Sequence, residues 1–251
     1  MSALGTMIAG DRARTSHAQV VAALGRDIVT GRIPENAILP GDAELSARFA
    51  VSRTVLREAM KTLAAKRLVE PKAKVGTRVL ERASWNFFDA DVLHWRLSAG
   101  MDEAFITDLS EMRSALEPAA AAMAARRASA EEIVGLYDLA HRFEDPAHSR
   151  ETIAAVDLAF HLAIVKAARN PFMRSIAGLI ETALAVSFRI SSPADSPALI
   201  TECAVNHLAI VRAIAARDPV RASAAMLHVI AVGTERTRGA LGDLNEKSPS
   251  C

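Results

Sequence analysis

Between residues 103 and 240 the chain interrupts its helical pattern only where one helix should end and another begin, and this constrains the fold more than any other feature. Ser129 is placed to cap a helix, and Asn170-Pro171 closes one segment and opens the next. Ser192-Pro193 and Ser196-Pro197 mark a loop. Asp218-Pro219 supplies a cap followed by proline at the first helical position, where its missing N–H costs nothing. Six helical segments result, at residues 103–127, 130–143, 150–168, 172–190, 198–216 and 219–240. Alanine, the best intrinsic helix former, is abundant, and no alternating pattern competes. This part of the chain is expected to be an all-α bundle.

The first third is organised differently. Val20, Val21, Leu24, Ile28 and Val29 form a stripe at helical spacing behind Thr15 or Ser16 as cap, and Gly31 is a natural stop. Asp42 stands in a capping position ahead of Leu45, Ala47 and Phe49, and Ala50-Val51 makes a tight connection. Ser52 can cap the next helix, Arg53 to Lys66, with Val55, Leu56, Ala59, Met60 and Leu63 facing inward. Two short β-prone pieces follow, Leu68–Pro71 and Thr77–Leu80, joined by a basic turn containing Gly76. The expected fold class is therefore mainly α: a winged helix-turn-helix with a small β-hairpin wing, then a helical bundle. Residues 1–14 read as a flexible lead, 15–80 as the winged domain, 81–101 as a linker, 102–241 as the bundle and 242–251 as a tail. The linker carries both tryptophans, Trp85 and Trp95, and is expected to dock on the second domain.

A net charge of +1 conceals a division. Residues 1–80 hold 13 Lys/Arg against 7 Asp/Glu, whereas residues 81–251 hold 17 against 22. Only the first part is suited to a polyanion. A helix that reads DNA needs donors on its exposed N-terminal turns, and Ser52, Arg53, Thr54 and Arg57 stand there. Arg53 and Arg57 share one face, and a guanidinium fork matches the major-groove edge of guanine. Ser52 and Thr54 suit phosphates. Lys61, Lys66 and Arg67 extend a basic track, and Lys72, Lys74, Gly76 and Thr77 place the wing beside it. The expected partner is double-stranded operator DNA, bound as a homodimer over two half-sites. A winged helix that binds protein is the alternative.

The bundle offers candidates for a second kind of chemistry. Asp157 and His161 are four apart, so carboxylate and imidazole share a helix face. His207 and His228 lie mid-helix among apolar neighbours. Converging helices would make these four a site for a divalent transition metal, zinc or nickel, but spacing within helices leaves the convergence open. His17, His94, His141 and His148 read as ordinary surface or core residues. Arg113 has Glu117 at i+4, so it is either half of an internal ion pair or a clamp for a small carboxylate effector. Asn206 and Arg189 are further polar candidates. The sequence has no HExxH motif, no phosphate-cradling Gly-rich loop and no nucleophile elbow, so binding is favoured over turnover. A metalloenzyme using the same residues, or a purely structural metal, remains the competing reading. Cys203 and Cys251 have no framework spacing, the first 14 residues lack the core of a signal peptide, and no run of about 18 apolar residues occurs. A cytoplasmic protein without membrane contact is expected.

The segment Leu39-Pro-Gly-Asp-Ala-Glu-Leu-Ser-Ala-Arg-Phe-Ala-Val-Ser-Arg-Thr-Val-Leu-Arg-Glu-Ala-Met-Lys-Thr-Leu, with the hairpin behind it, resembles the GntR family of bacterial regulators over residues 20–80. That resemblance implies base contacts from Arg53 and Arg57 and a wing tip near Gly76 at the minor groove. Asp42 and Ala43 stand where many members carry glutamate and arginine, which points to a different operator. Residues 104–238 resemble the all-helical C-terminal domain of the FadR-like branch, through Arg113–Pro118, Asp157–His161, Asn206–Ile210 and Ala216–His228. The resemblance implies that Asp157, His161, His207 and His228 hold a metal with two positions left for a carboxylate. Trp85–Trp95 resembles the linker of branch regulators that respond to sugar acids such as galactonate. The implied function is a ligand-responsive transcription regulator, in the narrower reading a repressor of sugar-acid catabolism.

Overall fold

The computed structural model describes residues 15–99 and 103–246, with side chains through residue 242. The expected lead, 1–14, and residues 247–251 of the tail lie outside the described residues. Packing divides the chain into two compact units, residues 1–100 and 101–251.

The first unit opens with α1 (Ser16–Val29), capped by Thr15, whose hydroxyl accepts from the Ala18 N–H. Gly31 ends it at φ +75°, a left-handed conformation that glycine adopts without penalty. Next come α2 (Asp42–Phe49) and α3 (Arg53–Ala65), joined through Ala50 in the left-handed region. Asp42 is the first helical residue and not the cap; Gly41 holds that position without a side-chain bond. Strands β1 (Val69–Lys72) and β2 (Gly76–Val79) pair antiparallel, from Val69 opposite Val79 to Lys72 opposite Gly76. The chain around Ile38 lies along the far edge of β2: Leu39 N–H donates to the Thr77 carbonyl at 2.8 Å and Val79 N–H to that of Ala37 at 2.9 Å. That edge is thereby covered instead of left open to pairing. Val20, Leu24, Ile28, Leu45, Leu56, Leu63, Leu68 and Val79 fill the core.

Residues 81–99, read from sequence as a linker that docks on the bundle, belong to this core. Trp85 and Trp95 are buried in it, the latter 2% exposed, carried by a short turn and by α4 (Ala90–Ser98), which packs on α1. Gly25 explains the fit. A Cβ there would lie 2.2 Å from the Trp95 ring, so only glycine lets the indole reach the α1 backbone. Lys66, expected on the basic track, stands elsewhere. It is buried, and its ammonium bonds Asp89 and Asp91 at 2.7 Å each, so it leaves the basic track and anchors the α4 cap. Burial opposes that charge, but the two carboxylates more than offset it and raise the Lys66 pKa.

The second unit contains α5 (Glu103–Arg127), α6 (Ala130–Arg142), α7 (Arg150–Ala167), α8 (Pro171–Arg174), α9 (Ala177–Ile190), α10 (Pro197–Ala215) and α11 (Pro219–Glu246). The segment expected as one helix over 172–190 is divided into α8 and α9 at Ser175-Ile176. Ser129 caps α6 reciprocally with Glu132, and Asp218 caps α11 by accepting from Val220 and Arg221. Helix α5 packs along α11, α11 along α10, and α7 against α5, α6 and α9. Helix α10 is apolar enough by composition to cross a bilayer, but half of its window is buried inside the unit, as a core helix requires.

Both tryptophans of the chain lie in the first unit, so indole emission reports that unit alone. Gly25→Ala is expected to lower its stability by about 1–3 kcal/mol through overpacking, with a smaller loss in a Trp95→Leu background. Urea titration followed by the remaining emission checks both values.

Candidate functional site

Helix α3 is amphipathic in the sense a groove-reading helix needs. Leu56, Ala59 and Leu63 are buried, while Ser52, Arg53, Thr54, Arg57 and Lys61 are exposed. Ser52 Oγ accepts from the Val55 N–H at 3.3 Å and fixes the helix start. Neither guanidinium of Arg53 and Arg57 is held by an ion pair or hydrogen bond among the described residues; Lys61 pairs with Glu58 at 2.9 Å. On the wing, Lys72, Lys74 and Gly76 are exposed and Thr77 is half-buried. Lys74 and Gly76 turn the hairpin at φ +62° and +119°. Arg78 spends its charge on Glu70 across the ladder, and Arg67 Nε donates to the Ser84 carbonyl at 3.0 Å.

The second unit contains a cleft of about 490 Å³, its mouth included, between α5, α7, α9, α10 and α11. At its floor α7 presents Asp157 and His161, and α10 presents His207. All three are buried. His207 Nε2 lies 3.1 Å from Asp157 Oδ1, and His161 Nε2 lies 3.7 Å from Oδ2. The opposite ring nitrogens are committed. His161 Nδ1 donates to Glu117 Oε2, and His207 Nδ1 donates to the Cys203 carbonyl at 2.7 Å. Both imidazoles thus turn Nε2 toward the carboxylate. Phe143 stacks on the His207 ring at 4.1 Å between centroids, and Phe160 meets it edge-on.

Charge follows the geometry. Burial would raise the Glu117 pKa, but Arg113 and His161 hold it down at about 2. Burial likewise opposes ionised Asp157, and His161 and His207 outweigh it. Burial would lower the His207 pKa; Cys203 and Asp157 instead push it up to about 10. At neutral pH the floor therefore carries ionised Glu117 and Asp157 beside a protonated His207. Both Nε2 atoms are buried without a hydrogen-bond partner. Buried polar nitrogens left in this state call for an acceptor or an ion. Once its proton is displaced, His207 Nε2 would join His161 Nε2 and the Asp157 carboxylate as donors of the kind a divalent transition metal takes, with each Nδ1–H held by an outer oxygen.

The structure brings together Asp157, His161, His207, Arg113 and Asn206, and leaves out two expected residues. His228 is exposed on α11; the face turned into the cleft carries Val229, Val232, Gly233 and Arg236. One residue along a helix rotates a side chain by about 100°, and that step separates His228 from the cavity. Arg189 is exposed at the last turn of α9, where Ser187 and Phe188 line the cleft in its place. Arg113 satisfies both readings at once: its Nε donates to Glu117 Oε1 at 2.6 Å, and the side chain still lines the cavity. Sequence reasoning missed Cys203, Arg236 and the bond from His161 to Glu117. Cys203 was legible at i−4 of His207, whereas Arg236 depends on how α11 is rotated.

Residues 16–79 match the model for bacterial regulatory proteins of the gntR family, and residues 108–232 match the FCD domain. The chain is 32% identical over 223 residues to the galactonate operon transcriptional repressor of Escherichia coli K12, covering 88% of this chain and 96% of that one. The chain belongs to the GntR family of bacterial regulators. A second relative is the probable D-xylose utilization operon transcriptional repressor of Paenarthrobacter nicotinovorans, 30% identical over 210 residues, covering 82% of this chain and 81% of that one. In fold this GntR regulator is similar to Lar of Listeria monocytogenes (TM-score 0.59, 20% identity, 91% of this chain and 99% of that chain). It is also similar to E. coli McbR/YncC (TM-score 0.53, 17% identity, 90% and 98%). GntR regulators are not enzymes; they bind operator DNA and small effectors, typically as dimers, and some FCD domains bind metals. This regulator is a ligand-responsive transcription factor with a winged reading head and an FCD domain.

Glu117 accepts from Arg113 and His161 at once, so Glu117→Ala is expected to cost about 3–5 kcal/mol by leaving the buried Arg113 guanidinium unpaired. Arg221→Ala, which breaks the exposed pair with Asp218, is expected to stay within about 1 kcal/mol of wild type. Thermal melts followed by far-UV circular dichroism compare the two.

Proposed function

We propose that this regulator is an acid-responsive repressor whose effector binds a metal held by Asp157, His161 and His207. The observation that carries the reading is the pair of buried, unpartnered Nε2 atoms facing a buried carboxylate under a cleft with two guanidinium groups. The metal is a divalent transition ion, zinc or nickel, since imidazole-rich sites suit both. Three protein ligands leave positions for effector oxygens, and the bound ion supplies a Lewis-acidic anchor for them. Arg113 stands above it to pair the carboxylate. At the other side Arg236, whose buried Nε has no partner, and Asn206 suit hydroxyl or acid groups further along the effector. A sugar acid fits this distribution. The reading is supported by relatives named for galactonate and D-xylose operons and for the uxu operon. His228 and Arg189 have no part in it.

On DNA, α3 enters the major groove, with Arg53 and Arg57 on base edges and Ser52 and Thr54 on phosphates. Lys61 and the wing residues Lys72, Lys74, Gly76 and Thr77 follow the backbone. A homodimer in the cytoplasm places two such heads on successive half-sites. The acid releases operator because it binds two arrangements of the dimer unequally, which is the only way a ligand shifts an equilibrium.

Arg53→Ala and Arg57→Ala are each expected to lose about 1–3 kcal/mol of operator discrimination. Lys72→Ala and Lys74→Ala should weaken specific and non-specific binding alike and flatten the salt dependence by about one unit of slope each. Competition titrations at several salt concentrations separate the two classes; full operator preference in both arginine variants would exclude α3 as the reading helix.

Protein prepared without chelator should carry about one divalent metal per chain by elemental analysis. His161→Ala and His207→Ala should lose it, and His228→Ala should retain it. Aldonates should raise the melting temperature and weaken operator binding, with the response lost in Arg113→Ala. A response restricted to neutral sugars or acyl thioesters would reject the carboxylate-on-metal reading.

A further inference from the structure

We propose that Cys203 is a fourth protein ligand to the metal of this cleft, taking as a thiolate the coordination position that His228 leaves empty. The proposal rests on the metal reading above and adds to it the identity of one donor. Cys203 and His207 lie one turn apart on α10, so both project from the same strip of that helix. Cys203 Sγ is 3.5 Å from His207 Nδ1, and Cys203 lines the cleft together with Asp157 and His161. Sγ, a carboxylate oxygen of Asp157 and a ring nitrogen of His207 all lie within 4.8 Å of one another, a span that one ion can bridge. A second observation points to the same place: the Nε2 atoms of His161 and His207 are buried and unpartnered beside that carboxylate. His207 Nδ1 is occupied by the Cys203 carbonyl, so Nε2 is its free donor and the sulfur does not compete for it. Rotation about the Cα–Cβ bond of Cys203, between staggered wells, swings Sγ relative to the carboxylate without moving α10.

On the facing side α11 offers carbon at this height, Val229 and Val232, and no imidazole. His161 lies outside that 4.8 Å group and joins it through Asp157, 3.7 Å from its Nε2, so the donor set becomes one thiolate, two imidazoles and one carboxylate. Binding forms a sulfur–metal bond, and the thiol proton leaves to solvent; no electron is transferred. A thiolate among four donors favours zinc over nickel, and an effector oxygen then enters as a fifth ligand. Cys203 is only half-buried, at the wall of the cleft, so an entering acid meets the sulfur and the metal together.

Cobalt(II) gives a readout that does not depend on DNA or effector. The full-length reduced protein, stripped with chelator, is titrated with cobalt(II) alone. Visible ligand-field bands report an ordered site, and an intense near-ultraviolet band reports a sulfur–cobalt bond. Both are expected in wild type. Cys203→Ser and Cys203→Ala should lose the near-ultraviolet band, keep visible bands and bind cobalt at least about tenfold more weakly, the scale of removing a supporting group at a metal site. Cys251→Ser should match wild type. Visible bands without the near-ultraviolet band in wild type would overturn the thiolate and leave the three-ligand site standing. A near-ultraviolet band lost in Cys251→Ser would do the same. No cobalt uptake by equilibrium dialysis would overturn the metal site and the thiolate together.

Discussion

A carboxylate that is 1% exposed in the middle of a helical bundle has to be compensated on every side, and Glu117 sets the terms for the rest of the cleft. One oxygen accepts from Arg113 one turn earlier on α5, and the other accepts from His161 on α7. The bond to His161 Nδ1 decides which face of that imidazole is free, and Nε2 is left pointing at Asp157. The bond to Arg113 consumes Nε, and the same side chain lines the cavity. A single buried charge thereby orients both the His161 nitrogen that faces Asp157 and the Arg113 side chain that lines the cleft. His207 is oriented by an independent but equivalent device, a backbone carbonyl behind Nδ1 and two phenylalanine rings around the plane. Outer partners of this kind fix tautomer and direction at metal sites generally.

Relations within one helix were legible in the sequence, and relations between helices were not. Asp157 with His161, Arg113 with Glu117 and Cys203 with His207 each lie at i, i+4, a spacing set by 3.6 residues per turn. Whether two such pairs face each other depends on how each helix is rotated about its axis, and a sequence gives that rotation only through its apolar stripe. Helix α11 carries an ambiguous stripe, with Leu227 exposed and Met226 and Ile230 buried. His228, between them in sequence, falls on the outer side for that reason. The helix boundaries were easier because caps act locally. Thr15, Ser52, Ser129 and Asp218 each satisfy N–H groups of the next turn, with no help from distant residues.

The tryptophans show the same limit from the other direction. Their apolar bulk called for burial, but composition does not say under which surface. The deciding residue is Gly25, seventy positions earlier, in the middle of the buried stripe of α1. A glycine there weakens a helix by about 1 kcal/mol relative to alanine, so its presence implies that something large lies against the backbone. Trp95 is that group. The cost in helix propensity is offset by burying an indole.

This packing changes what α4 is to the reading head. Its start is tied to the end of α3 by Lys66, whose ammonium bonds the capping Asp89 and its neighbour Asp91. Its middle is tied to α1 by Trp95. Helix α3 in turn packs on α1. Three helices therefore share one buried set, and α4 cannot shift without carrying α1 and α3. A signal that reaches residue 99 along the chain consequently arrives at a packed body that includes the arginine-bearing helix, and not at a tether. Close-packed interiors transmit displacement because they have little free volume in which to absorb it. The placement of the helix that carries Arg53 and Arg57 is thus tied, through α1, to the contacts that bury Trp95.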